Sequence, residues 1–328
     1  MHALTQSFLH FQGIGPSRAD ALADCGVREW QDLLDIESLQ LPFSKAFIKQ
    51  LTEEARANIV ALQDNNLVFF IERLDNANRW RLLHDFWDQC TYLDIETSGL
   101  ELDAQITVIS CWNGRELHAF VNGENLEEFP DYLLSIPLMV TFNGSTFDLP
   151  VIRRYFNLPD IPVPHIDMRW ICRNCDLTGG LKPIEHQLNL KRPNDLVGTD
   201  GSEAIALWNR WEYMKDASAR AKLIRYCAAD TIALQHVAAI ILAKQSGDEE
   251  AFALDTNSHW QILNEIIPVI IPSDTSVTPA KDQHDMKSET VRQQTVSSAQ
   301  EPRLSALQQR LRAFLDTRKG NIRKTQHV

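Results

Sequence analysis

The chain has 328 residues, 44% of them hydrophobic and 23% charged, an ordinary balance for a globular protein with a substantial core. Thirty-two Lys and Arg against 44 Asp and Glu give a net charge of −12, which argues against coating duplex nucleic acid or an anionic membrane by bulk charge. It leaves room for a nucleic-acid enzyme whose carboxylates hold metal ions, because those carboxylates belong to the negative count.

The start, Met1 to Gln6, lacks the basic lead and apolar core of a signal peptide. No run of eighteen uninterrupted apolar residues occurs, so neither a membrane-spanning helix nor a membrane partner is expected. Cys25, Cys90, Cys111, Cys172, Cys175 and Cys227 are scattered without disulfide-scaffold spacing. That usage makes a reducing, cytoplasmic setting the expectation.

Residues 1–64 read as a polar, helical region with one glycine turn. Within it, Phe8 to Leu22 resembles a helix-hairpin-helix motif. Gly13 and Gly15 permit a tight turn, Pro16 suits a first helical position, and the amides that follow form an anion site. Arg18 adds a charge, so Gly13, Gly15 and Arg18 are candidate contacts to a nucleic-acid backbone. The competing reading is a hairpin used for packing or protein contact, since no dense basic patch accompanies it. Residues 65–245 form the second region, opened by Trp80, Leu83, Phe86 and Trp87 at helical spacing. From Cys90 onward short strand-like runs alternate with helices, the pattern of an α/β domain.

Three pieces of that domain carry chemistry. In Thr91 to Leu100 an apolar run enters Asp94-Ile95-Glu96, and a period of two puts both carboxylates on one face of a strand. Two such carboxylates repel unless a cation lies between them. A second buried strand, Leu138 to Phe142, leads through Asn143 and Gly144 to Asp148 at the first turn of a helix. Asn143 is a candidate nucleic-acid contact and Asp148 a candidate ligand, although a turn and an N-cap would use the same residues. The third piece is Tyr226-Cys227-Ala228-Ala229-Asp230, in a helix from about 217 to 243, where a spacing of four puts Tyr226 and Asp230 on one face.

In order, these pieces resemble the DEDD superfamily of 3′→5′ exonucleases on the ribonuclease H-like fold, in the version with a tyrosine in the third motif. His165-Ile166-Asp167, Gly179 to Glu185, Lys191-Arg192-Pro193 and Gly198 to Gly201, with the lead-in Arg79 to Leu82, look like the YprB-like branch. The resemblance covers about residues 6–240 and implies a mixed sheet flanked by helices behind a helical N-terminal region. It implies two ions, Mg²⁺ or Mn²⁺, held by Asp94, Glu96, Asp148 and Asp230, with Tyr226 orienting the attacking water. The implied reaction is phosphodiester hydrolysis at the 3′ ends of DNA or RNA; the low positive charge points separately to short or single-stranded substrates over long duplexes.

Other signals are discounted. Cys172-x-x-Cys175 lacks the further ligands of a zinc site, and His165, Trp208 and Trp211 read as structural. Residues 246–328 read as a largely disordered linker, poorest in apolar residues over 272–301, ending in a short amphipathic helix marked by Leu304, Leu307, Leu311 and Phe314. Seven basic residues against Asp316 alone make that helix a candidate contact for a protein partner or nucleic acid. Two rival functions stand beside the exonuclease: a non-catalytic nucleic-acid-binding adaptor on the same fold, and a structure-specific endonuclease.

Overall fold

The computed structural model describes residues 2–35, 40–101 and 103–270. The expected linker over 272–301 and the basic helix near the C-terminus lie outside the described residues. In chain order the helices are α1 (Pro16–Asp24), α2 (Lys45–Gln63), α3 (Leu67–Arg73), α4 (Trp80–Asp85), α5 (Phe129–Leu133), α6 (Asp148–Tyr155), α7 (Met168–Asn174), α8 (Leu181–Gln187), α9 (Gly201–Met214), α10 (Ala217–Ser246) and α11 (Thr256–Ile266). The strands are β1 (Cys90–Thr97), β2 (Ile106–Trp112), β3 (Leu117–Val121), β4 (Leu138–Thr141) and β5 (His165–Asp167).

They form one mixed sheet in the order β3-β2-β1-β4-β5, with β1–β2 and β2–β3 antiparallel and β1–β4 and β4–β5 parallel. This is the α/β architecture expected of the sequence. Alternation along β1 decides which layer receives the carboxylates. Leu93 and Ile95 enter an apolar cluster with Phe129, Leu133 and Ile152 from α5 and α6. Tyr92 enters the other cluster, with α10 and the N-terminal helices. Asp94 and Glu96 are in step with Tyr92 and therefore face α10.

α10 is the central helix. Asp216 caps it by accepting from the Ser218 and Ala219 amides, and Gly247, at φ +72°, ends it. By length and composition it is apolar enough to cross a bilayer, although no uninterrupted apolar run marks it, yet most of it is buried inside the protein. A stripe at every fourth residue meets the sheet. The Cys227 thiol donates to the Asp94 carboxylate (3.5 Å), the Thr231 and Ser110 hydroxyls pair at 3.4 Å, and Trp112 Nε1 donates to Gln235 Oε1 (2.7 Å). Asp94 lies opposite Ser110 and Tyr92 opposite Trp112, so one stripe reads two adjacent strands.

The N-terminal region departs from the hairpin expectation in its first arm. Residues 3–13 fold largely as turns, and a 3₁₀ turn follows at Trp30–Leu33. Long-range partners compete for this backbone. Ala3 and Leu4 amides donate to the Asp85 carboxylate at 2.7 and 2.9 Å, and Trp30 Nε1 donates to the Ser7 carbonyl. α1 does begin at Pro16 after Gly15, and Gly13 holds φ +81°, a conformation that favours glycine. At the other end, ordered structure continues past residue 245. α11 packs on α10 through buried Leu263 and His259, the latter bonded to His236 at 3.0 Å.

Candidate active site

The first two carboxylates come from β1, and the third is set by a tight turn. Gly144 passes so close to Thr141 that an added Cβ would lie 2.1 Å from its hydroxyl, so only glycine fits there. Asn143, at φ +64°, takes the left-handed conformation that asparagine tolerates. Asp167, at the end of β5, pins this loop by accepting from the Asn143 amide (2.7 Å) and the Ser145 amide (3.1 Å). The loop then delivers Asp148 as the first residue of α6, buried. Asn143 itself uses its side-chain oxygen on Arg169 and Thr146.

α10 supplies the fourth carboxylate, Asp230, and Tyr226 one turn earlier. All four acidic groups sense one another electrostatically. Burial pushes Asp94 well above the usual carboxylate range, and the charges of Asp230, Glu96 and Asp148 push it further. Glu96 is raised first by burial and then by Asp230, while Lys182 and Arg192 pull the other way. Asp148 is raised to about 7 by burial, with amide hydrogen bonds opposing the rise and the Asp167 charge adding to it. The structure thus brings together all five sequence-predicted groups, Asp94, Glu96, Asp148, Tyr226 and Asp230. Gly13, Gly15 and Arg18 stand apart in the N-terminal turn, where Arg18 donates to the Gly13 carbonyl at 2.6 Å and lies over the Phe47 ring.

Two cations and a thiol, given no role from the sequence, complete the site. Lys182, on α8, donates to the Tyr226 hydroxyl at 2.5 Å and to the Thr199 carbonyl. Burial, then the charges of Asp230, Glu96 and Asp94, raise the Tyr226 phenol above its ordinary range, so it stands as a neutral hydrogen-bonding group. Arg192, in the segment after α8, forks onto buried Glu185 at 2.7 and 2.5 Å and ion-pairs with Asp230. The Cys227 thiol is raised by burial and by Asp94, which keeps it a protonated donor. The Lys182, Glu185 and Arg192 spacing is visible in the sequence, but nothing local says that these residues reach α10.

The acidic cluster suits a divalent cation. One ligand atom each from Asp94, Glu96 and Cys227 lie within 4.8 Å of one another. Among the described residues, no ion pair involves Asp94, Glu96 or Asp148. Clustered carboxylates of raised pKa, short of counter-charge, are what a divalent ion relieves.

Residues 91–242 match the family model of the RNase_H superfamily. The match runs from β1 into α10 and so spans every carboxylate of the site. Among solved structures, a family B DNA polymerase from the hyperthermophilic archaeon Pyrobaculum calidifontis aligns at 13% identity with a TM-score of 0.36. The alignment covers 60% of this chain and 31% of the polymerase. No curated protein matches the chain.

Proposed function

We propose that the protein is a divalent-metal-dependent 3′→5′ exonuclease that hydrolyses phosphodiester bonds of DNA or RNA, of the tyrosine-bearing DEDD type. The observation that carries this reading is the convergence of Asp94, Glu96, Asp148 and Asp230 on one site with too little positive charge among the described residues. Asp94, Glu96, Asp148 and Asp230 would together hold two divalent ions, Mg²⁺ or Mn²⁺. When bound, such ions activate water and stabilise the attacking and leaving oxygens of an in-line displacement. Tyr226, neutral and fixed by Lys182, orients the attacking water rather than taking its proton. Asp167 acts at one remove by holding the loop that positions Asp148.

The YprB-like assignment, the division at 64 and 245, a cytoplasmic setting and a preference for single-stranded 3′ ends belong to the same proposal. So does a phosphate grip at the Gly13–Gly15 turn, where Arg18 would have to share itself between that turn and the ligand. The test uses 5′-labelled single-stranded DNA and RNA, with free or blocked 3′ ends, in Mg²⁺ or Mn²⁺. A ladder shortening from free 3′ ends, lost in Asp94→Ala and Asp230→Ala, is the expected result. Cleavage of a circular single strand would point to the endonuclease instead. No metal-dependent cleavage by folded protein would point to the adaptor.

A further inference from the structure

Arg192 occupies one side of the site with a cation that the chain itself supplies. Its guanidinium is almost wholly buried, as are Glu185 and the Asp230 carboxylate that it joins. Nε and one terminal nitrogen lie on the two oxygens of Glu185, leaving the other terminal nitrogen for Asp230. Such a two-pronged hold fixes a guanidinium in place, which a lysine cannot do. The neighbouring segment is fastened as well: Asp195, three residues on, receives two hydrogen bonds from Arg225 of α10. Arg192 is therefore held against Asp230 by structure on both sides of it in the chain. Burial opposes its charge, but Asp230 and Glu185 outweigh that and hold its pKa above the ordinary arginine range.

We propose that Arg192 is an internal competitor for metal at Asp230: it neutralises that carboxylate in the metal-free protein and weakens metal binding there until an ion displaces it. This rests on the metal-site reading above. The physical reason is charge balance. Without Arg192, Asp230 would stand buried beside Asp94 and Glu96 with no ion-pair partner, a costly arrangement. With Arg192 in place, an incoming divalent ion meets a guanidinium on the carboxylate that it needs, and the two cations repel. Arg192 thus balances the charge of Asp230 and sets the metal affinity of the site.

The experiment measures Mn²⁺ affinity by calorimetry, and melting temperature in chelator and in Mn²⁺, for the full chain and Arg192→Gln. Circular dichroism verifies the fold. Arg192→Gln is expected to melt lower in chelator, to gain more from Mn²⁺, and to bind Mn²⁺ about tenfold more tightly, within the usual range of reciprocal couplings. Arg192→Lys keeps the charge but loses the fork, and serves if the glutamine variant does not fold; an affinity between those of the other two is expected. Equal or weaker Mn²⁺ binding in both variants would overturn the proposal, because Arg192 would then be helping Asp230 to hold the ion. That outcome, in a wild-type protein that binds Mn²⁺, leaves the nuclease reading standing. Absence of Mn²⁺ binding by all three folded proteins sinks both.

Discussion

Arg225 and Arg192 are both buried arginines beside the same helix, and their partners set them apart. Arg225 gives two hydrogen bonds to Asp195, one to Asn264 of α11 at 3.0 Å and one to the Ile267 carbonyl. None of these groups belongs to the carboxylate site, so Arg225 fastens α11 and the 194–196 turn to α10 and does nothing else there. Arg192 donates hydrogen bonds to a structural carboxylate, Glu185, and forms an ion pair with a site carboxylate, Asp230. A buried cation whose partners all lie outside a site reports on stability. One that shares a site carboxylate couples stability to ligand binding.

The largest effect that tests this contrast is Arg225→Met. It removes a buried charge and strands its partners, so a loss of about 3–5 kcal/mol is expected in chemical denaturation. Its Mn²⁺ affinity should stay at the wild-type value in protein that remains folded. A gain in affinity as large as that expected of Arg192→Gln would erase the distinction between the two arginines.

Tyr226→Phe sharpens it on the adjacent residue of α10. Loss of the hydroxyl should lower the hydrolysis rate by roughly a hundredfold, the low end for a group that positions or moves a proton. Stability should change by no more than about 1.5 kcal/mol, the worth of a single hydrogen bond. Neighbouring side chains on one helix would then divide cleanly, Arg225 acting on folding and Tyr226 on rate. A rate equal to wild type would remove Tyr226 from the mechanism.

The smallest effect is on pH dependence. Burial pushes the Asp148 carboxyl up to about 7, against about 3.9 in an unfolded chain. The folded state therefore holds a proton that the unfolded state has released, and this group's contribution to stability falls as pH rises from about 4 to about 7. Metal binding requires the ionised carboxylate, so the rise in melting temperature given by Mn²⁺ should grow between about pH 5 and about pH 8. A Mn²⁺ effect that is flat across that range would mean that Asp148 does not contribute to the metal site.

Much of the site was legible because its pieces are local patterns. Asp94 and Glu96 announce themselves by a period of two on an apolar strand. Asp148 follows an Asn143-Gly144 turn, and Tyr226 and Asp230 sit one helical turn apart. α11 escaped because so few of its residues are buried, with Leu263 and His259 anchoring it against α10. The helix expected before Gly13 gives way to turns, and the carbonyls of Ala3, Thr5 and Ser7 that a helix would use accept instead from Arg81, the Trp30 amide and the Trp30 indole.

What the sequence by itself determined is the identity of the carboxylates and the face on which each would stand, since side-chain direction follows from the periods of strand and helix. Only the tertiary structure decided their counter-charges. Lys182 meets Tyr226 across 44 residues of chain, and Arg192 meets Asp230 across a comparable gap. No local periodicity encodes such a distance. It follows from α8 and the segment after it packing onto α10, where burial makes each unpaired charge expensive and so selects its partner.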